Sequence, residues 1–281
     1  MSVVPSRVFD RLAGKIAIVT GAGTAGEGFG IGRAIAVRFA GEGAKVCLLD
    51  RDGDAAKATL EIIQEMGGEA FVVTADLVDE ADCSSATAQC AARFGGIDIL
   101  VNSVGIAEAP RPVDQLDLTT WQNVFDVNLR SAIQMAKFAI PKMRARGGGA
   151  IVNIASIAGL VSYGSLAYGP SKAALIQLTR ELAVLHGRDG IRVNVLAPGH
   201  VYTPMVAGHL SEEMREARRR AGPLGIEGDA WDVAAAALFL ASNDARFITG
   251  ACLPVDGGIT IVGSVEAARW IADLNSRPSE C

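Results

Sequence analysis

Residues 15–32 read KIAIVTGAGTAGEGFGIG, and the passage from apolar run to glycine-rich turn decides the fold. Ile16, Ala17, Ile18 and Val19 form a short continuous apolar run ending in Thr20-Gly21, which predicts a strand buried on both faces. Residues 21–26 match G-x-G-x-x-G literally, but the helical period begins later. Ile31, Ala34, Ile35, Arg38 and Phe39 follow i, i+3/i+4 spacing, so the helix starts near Gly30-Ile31-Gly32. Such a strand–turn–helix offers a pyrophosphate the free N–H groups and positive dipole end of a helix, with glycines letting the backbone come close.

The same alternation runs outward from this unit. Strands are predicted at 15–20, 45–50, 69–75, 97–102, 150–155, 192–196 and 252–255, with helices at about 31–42, 53–66, 79–94, 117–146, 166–187 and 229–242. Strands without strict polar alternation, separated by helices, describe an α/β doubly wound Rossmann fold: a seven-stranded parallel sheet with helices on both faces. No linker, repeat or low-complexity stretch divides the chain, so residues 1–281 are expected to form a single domain with its core at about 12–260. Two stretches lie outside the alternation. One is a polar, helix-forming segment at about 203–228, in the position of a substrate loop; the other is the tail, 259–281. In the tail, Gly263-Ser264 is expected to break the chain, and residues 265–274 carry a partial apolar stripe that predicts a helix docking near the substrate cleft or on an oligomer surface.

Composition narrows the function. Half of the residues are apolar and only 5% aromatic, which excludes a disordered or fibrous chain. A net charge of −5 gives no electrostatic reason to bind nucleic acid or an anionic membrane. The five cysteines form no C-x-x-C pair, which speaks against a zinc site or disulfide framework and for reduced thiols in a cytoplasm. No apolar run reaches transmembrane length and the first residues lack a signal-peptide core, so a cytoplasmic protein is expected.

The second strand ends at Asp50, 18 residues beyond Gly32. A carboxylate there accepts hydrogen bonds from ribose hydroxyls and repels a 2′-phosphate, which favours NAD over NADP; Arg51 is the residue that would swing towards such a phosphate. Asp76-Leu77 ends the third strand, as an adenine contact or a helix cap. Further along, Tyr168 and Lys172 stand at i and i+4, and Pro170 between them is tolerated only in a first helical turn, so the pair should face out of a helix start. A free tyrosine has a pKa of about 10; a neighbouring ammonium and a cationic nicotinamide would lower it towards use as a base. Ser156, at the end of the fifth strand, is placed to face the same substrate oxygen. Proton work by side chains needs no metal, and none is expected.

Taken together, Thr20-Gly21…Gly30-Ile31-Gly32, Asp76-Leu77, Asn102-Ser103-Val104-Gly105, Asn128, Ser156, Tyr168-x-x-x-Lys172, Asn194 with Pro198-Gly199, and Val255-Asp256-Gly257-Gly258 make the chain resemble the short-chain dehydrogenase/reductase family. The resemblance implies that Tyr168 is the acid/base, that Ser156 positions the substrate oxygen, and that Lys172 lowers the tyrosine pKa and binds the nicotinamide ribose. It implies that Asn128 holds a relay water, that Asn102 and Gly105 lie under the adenosine ribose, and that Pro198, Gly199, Val201 and Thr203 seat the carboxamide. It also implies a homotetramer or dimer. Two intervals depart from the family: residues 22–29 enlarge the glycine turn by five, and the Ser156–Tyr168 interval is one residue short. The enlarged turn is expected to be an ordered flap, because Phe29 within it would prefer burial.

The leading expectation is an NAD-dependent dehydrogenase acting on a secondary alcohol, with its hydroxyl on a ring or chain, or on the corresponding ketone. Its alternatives are an NADPH-dependent 3-oxoacyl thioester reductase and a non-catalytic nucleotide-binding protein. His200 reads as a solvated loop residue or part of the substrate cleft, and Tyr163 as cleft wall or core. Arg218-Arg219-Arg220 reads as a solvated helix end that complements the dipole.

Overall fold

Apolar residues on successive strand positions point to opposite faces, so a strand that is apolar throughout needs cover on both. The computed structural model, which describes residues 10–24, 26–208 and 210–275, meets that need with a sheet between two layers of helices. In chain order the elements are β1 (Ile16–Thr20), α1 (Ile31–Gly41), β2 (Lys45–Asp50), α2 (Gly53–Glu65), β3 (Glu69–Thr74), α3 (Glu80–Phe94), β4 (Ile99–Asn102), α4 (Leu118–Phe125), α5 (Ser131–Ala145), β5 (Gly149–Ile154), α6 (Tyr168–His186) and β6 (Ile191–Pro198). There follow β7 (Val201–Tyr202), α7 (Pro204–Ala207), α8 (Glu212–Ala221), β8 (Gly228–Asp229), α9 (Ala230–Ala241), β9 (Cys252–Val255) and α10 (Val265–Asn275). Among the described residues, no helix is long and apolar enough to cross a membrane.

The main sheet has the order β3-β2-β1-β4-β5-β6-β9, and every neighbouring pair is parallel. The two faces divide the strand residues by parity. Ala17, Val19, Val46, Leu48, Ile99 and Val101 join Ile35, Phe39 and Leu238 in one core. Ile16, Ile18, Cys47, Leu49 and Leu100 join Met135, Met143 and Leu182 in the other. This is the doubly wound α/β fold the sequence predicts, and the strand order reverses between β1 and β4, where a crevice opens beyond their carboxyl ends.

Two details depart from the predicted elements. The single helix expected over 117–146 is α4 and α5 joined by a π-helical turn, Asp126–Arg130, which contains Asn128. The segment 203–227 is an excursion closed at its base by the parallel pairing of Val201 with Gly228 and Tyr202 with Asp229. In the tail, the Ser264 hydroxyl accepts the Ala267 N–H at 3.0 Å to start α10, which packs against α8. The expected frayed end from 276 onward lies outside the described residues.

Candidate active site

The loops after β1 and β4 meet at the crevice. A Cβ on Gly21 would lie 3.4 Å from the Ser103 carbonyl, and Gly21 itself takes a φ of +63°, which favours glycine. Helices α2, α3, α4, α8 and α9 each begin with a side chain that caps their N–H groups; α1 begins at Gly30 with none. Its amides are thus left for a ligand, and a cavity of about 340 Å³ lies against them. Gly21, Gly30, Ile31, Gly32, Asp50, Arg51, Asp76, Leu77, Gly105 and Thr203, ten of the residues expected to bind a cofactor, line this one cavity.

Asp50 is fixed where it stands. Its Oδ2 accepts the Gly23 N–H at 2.8 Å and its Oδ1 accepts the Asp52 N–H at 3.0 Å, which leaves acceptor capacity towards the cavity. The enlarged turn is pinned at several points. The Thr24 hydroxyl accepts the Gly30 N–H at 3.0 Å, Arg33 donates to the Gly28 carbonyl at 2.8 Å, and Phe29 packs on Trp231 with ring centroids 4.8 Å apart. Arg33 also donates to Thr59 Oγ1 and to the Ala55 carbonyl, so one buried guanidinium ties the turn to α2. Its pKa is lowered by burial and partly restored by Asp50.

At the other end of the crevice, Tyr168 opens α6 and Ser156 follows β5. Burial raises the Tyr168 pKa, and the neighbouring Ser156 hydroxyl lowers it. The depression expected from Lys172 is absent in the protein alone: burial dominates, and the only lowering comes from Ser156. Lys172 lies beneath, its ammonium 5.6 Å from the Tyr168 ring centroid and donating to the Ile154 carbonyl at 3.0 Å. Complete burial pushes the Lys172 pKa down to about 8.

That shift has a thermodynamic consequence. A lysine with a folded pKa of about 8 against 10.5 unfolded weakens the fold while charged, fully below pH 8, and the penalty fades as pH rises from 8 to 10.5. Wild-type stability relative to Lys172→Met should therefore rise across that window by on the order of 1–3 kcal/mol. Urea denaturation of both proteins at several pH values checks this; a difference independent of pH would contradict it.

Asn128 is spent on architecture. Its Oδ1 accepts the Ile106 N–H at 2.8 Å, and its Nδ2 donates to the Ile106 carbonyl at 2.9 Å and to Ser171 Oγ at 3.0 Å. The side chain clamps the loop after β4 to α6. Asn102 faces away from the cavity and donates to Asn153 at 2.8 Å. Pro198 ends β6, Gly199 packs against Asp256, and Val201 lines a separate cavity beside α8.

A family profile described as enoyl-(acyl carrier protein) reductase matches residues 25–260. A solved structure from Mycobacterium ulcerans, described as a short-chain type dehydrogenase/reductase, is 30% identical with a TM-score of 0.83 and covers 91% of each chain. The chain belongs to the short-chain dehydrogenase/reductase family. It is also similar to the cis-4-hydroxycyclohexanecarboxylate dehydrogenase of Sinomonas cyclohexanicum, at 38% identity over 90% of this chain and 99% of that one. A 7α-hydroxysteroid dehydrogenase solved with NADH and 7-oxo glycochenodeoxycholic acid is 34% identical, with a TM-score of 0.83 over 92% of this chain and 97% of that one.

Beyond the family motifs, the structure adds one residue that sequence reading missed. Glu108 accepts the Ala167 N–H at 2.7 Å and the Tyr168 N–H at 2.9 Å. A carboxylate from the loop after β4 thereby caps the first turn of α6, the turn that carries Tyr168. The 59- and 60-residue separations leave no local sequence signal for it.

Proposed function

We propose that this short-chain dehydrogenase/reductase moves a hydride between NAD and a secondary alcohol or ketone, with Tyr168 as the general acid/base. The observation that carries the reading is the Ser156–Tyr168 pair with the buried Lys172 ammonium beside it, next to Gly105 of the cofactor cavity. Bound nicotinamide supplies the hydride acceptor or donor. Tyr168 holds or takes the proton of the substrate hydroxyl, and Ser156 donates a hydrogen bond to the same oxygen. Lys172 keeps a positive charge next to the phenol at neutral pH. A Cβ on Gly105 would lie 3.0 Å from Lys172 Nζ and 3.4 Å from Asn128 Oδ1, so the ammonium also borders the loop through which a relayed proton would pass. The uncapped α1 N-terminus and Asp50 would hold the pyrophosphate and a ribose. The solved relative with NADH and the relative named for a ring alcohol support the same reading.

The test is NAD reduction, followed by absorbance, with a panel of alicyclic secondary alcohols. Absence of turnover across the panel would overturn the reading. Cofactor choice has its own check. Asp50→Ala should weaken NAD binding and improve NADP binding, each by about 1–3 kcal/mol, the scale of hydrogen bonds to a charged group. Removing the carboxylate also lets Arg51, on the same cavity wall, meet a 2′-phosphate. A wild-type enzyme that already prefers NADP would contradict the NAD assignment. Phe247, 95% exposed, and Leu253 on the edge strand β9 support the homo-oligomer as part of this proposal.

A further inference from the structure

Helix α8 carries four arginines, and three have carboxylate partners. Arg215 bonds both oxygens of Glu227 at 2.7 and 2.5 Å, Arg219 bonds both oxygens of Glu216 at 2.6 Å, and Arg220 shares Glu216 at 2.5 Å. The Arg218 guanidinium, half-buried, makes no hydrogen bond or close ion pair among the described residues; only the charge of Glu227, already bound by Arg215, and that of Tyr163 reach it from further away. A solvated helix end accounts for Arg220 and not for Arg218, because taking an unpaired charge partly out of water is costly.

The surroundings of Arg218 suit a ligand. It lines a cavity of about 510 Å³ with His200, Leu224, Ile226, Ile259 and Ile261. The His200 Nδ1 stands 3.4 Å from the Arg218 carbonyl, and its Nε2 is 2.9 Å from the Tyr163 hydroxyl. The network assigns a neutral imidazole, with Nδ1–H donating to Arg218 and the Tyr163 O–H donating to Nε2. Burial and Arg218 both favour that neutral form. Tyr163 stands five residues before Tyr168, on the segment that leads into α6, which connects this cluster to the acid/base. Two carboxylates share the cavity, each held by hydrogen bonds, and the Asp256 charge reaches both His200 and Tyr163. Asp256 accepts from the Gly258 N–H and from the N–H and hydroxyl of Thr260, and Asp232 accepts the Asp229 N–H. Arg219 lines the cavity too, but its guanidinium is held by Glu216, which it shares with Arg220.

We propose that Arg218, with the Tyr163–His200 pair, is an anion subsite of the substrate cleft, and that the substrate is a secondary alcohol carrying a carboxylate on an apolar body. Arg218 is the cavity arginine with no hydrogen-bonded carboxylate, and with Asp256 and Asp232 on the same wall the site suits a single negative charge better than a phosphate dianion. Leu224, Ile226 and Ile259 supply the apolar walls between the two ends. The inference rests on the dehydrogenase reading above and names its substrate class.

The experiment compares kcat/KM with NAD for 4-hydroxycyclohexanecarboxylate and for its neutral carboxamide. Wild type should prefer the acid by roughly tenfold to a hundredfold, the worth of a charge-assisted pair. Arg218→Met should bring the ratio near one, and Arg218→Lys should keep part of it, which covers the case in which methionine disturbs α8. Arg220→Met, with the same change in charge, should keep the wild-type ratio. A wild-type ratio near one, or equal loss in the Arg218→Met and Arg220→Met variants, would overturn the subsite. If neither compound turns over, the dehydrogenase reading fails separately, and calorimetric titration of cyclohexanecarboxylate decides the subsite. Binding to wild type that is lost in Arg218→Met supports it, and no binding to wild type overturns it.

Discussion

Tyr168→Phe should lower kcat by about 10²–10⁴ while the Kd for NADH stays within about twofold, the usual worth of one positioned acid/base. The substitution keeps the ring beside the Lys172 ammonium and removes only the hydroxyl that meets Ser156. Backbone contacts of the first turn of α6 to Glu108 are untouched, so the helix start should stay in place. Steady-state kinetics in both directions, with NADH binding followed by fluorescence, separates loss of chemistry from loss of cofactor. A variant keeping more than about half of the activity would refute Tyr168 as the proton-transfer group.

The same site gives the two directions of reaction different demands. Burial raises the Tyr168 pKa, so the protein alone keeps the proton on the phenol and is set to protonate a ketone oxygen. Oxidation of an alcohol needs the phenolate. In the proposed mechanism the positive charges that would favour it are the Lys172 ammonium, whose pKa burial brings down to about 8, and the nicotinamide ring when bound. Lys172 keeps most of its charge at neutral pH despite complete burial, which is the condition for that role.

How far these features were legible depends on whether they are local in sequence. Every strand of the main sheet was visible, because parallel strands buried on both faces are short apolar runs whatever surrounds them. The uncapped start of α1 at Ile31 was readable from the onset of the 3.6-residue period despite an earlier G-x-G-x-x-G match. The π-helical turn at Asp126–Arg130 was not, since one extra residue in a turn leaves the apolar pattern on either side intact. Asn128 was identified as a site residue, yet its role as a clamp depends on Ile106 and Ser171, 22 and 43 residues away. Arg33 shows the same limit: a surface-type residue in a helical pattern turns out to be buried, because the enlarged turn brings the Gly28 carbonyl to it. Charge complementarity along α8 read as a solvated end, and only the spatial pairings reveal that Arg218 is the arginine of this helix without a hydrogen-bonded carboxylate.

The close approach at the glycine turn makes the last prediction the most severe for the fold. A Cβ on Gly32 would lie 2.0 Å from the Gly21 carbonyl oxygen, 2.8 Å from its carbon and 3.2 Å from the Thr20 oxygen. All three are backbone atoms, so no side chain can rotate away; β1 and α1 must separate instead. Because α1 places Ile35 and Phe39, both fully buried, in the core against β1 and β2, that movement opens packed contacts as well as the cofactor crevice. Overpacking that flexible side chains absorb costs about 1–3 kcal/mol, and a backbone clash should cost at least the upper end of that range. For a chain of this size, Gly32→Ala should therefore lower Tm by roughly 6–12 °C and weaken NADH binding more than about tenfold. Gly187 is the control. It ends α6 with φ −60°, and an added Cβ meets nothing within 4 Å. Gly187→Ala should leave both quantities within about 0.5 kcal/mol of wild type or stabilise slightly through the unfolded chain. Differential scanning calorimetry with and without NADH compares the two variants directly. A Gly32→Ala protein that melts and binds NADH like the Gly187→Ala control would mean that β1 and α1 do not approach as closely as this geometry requires.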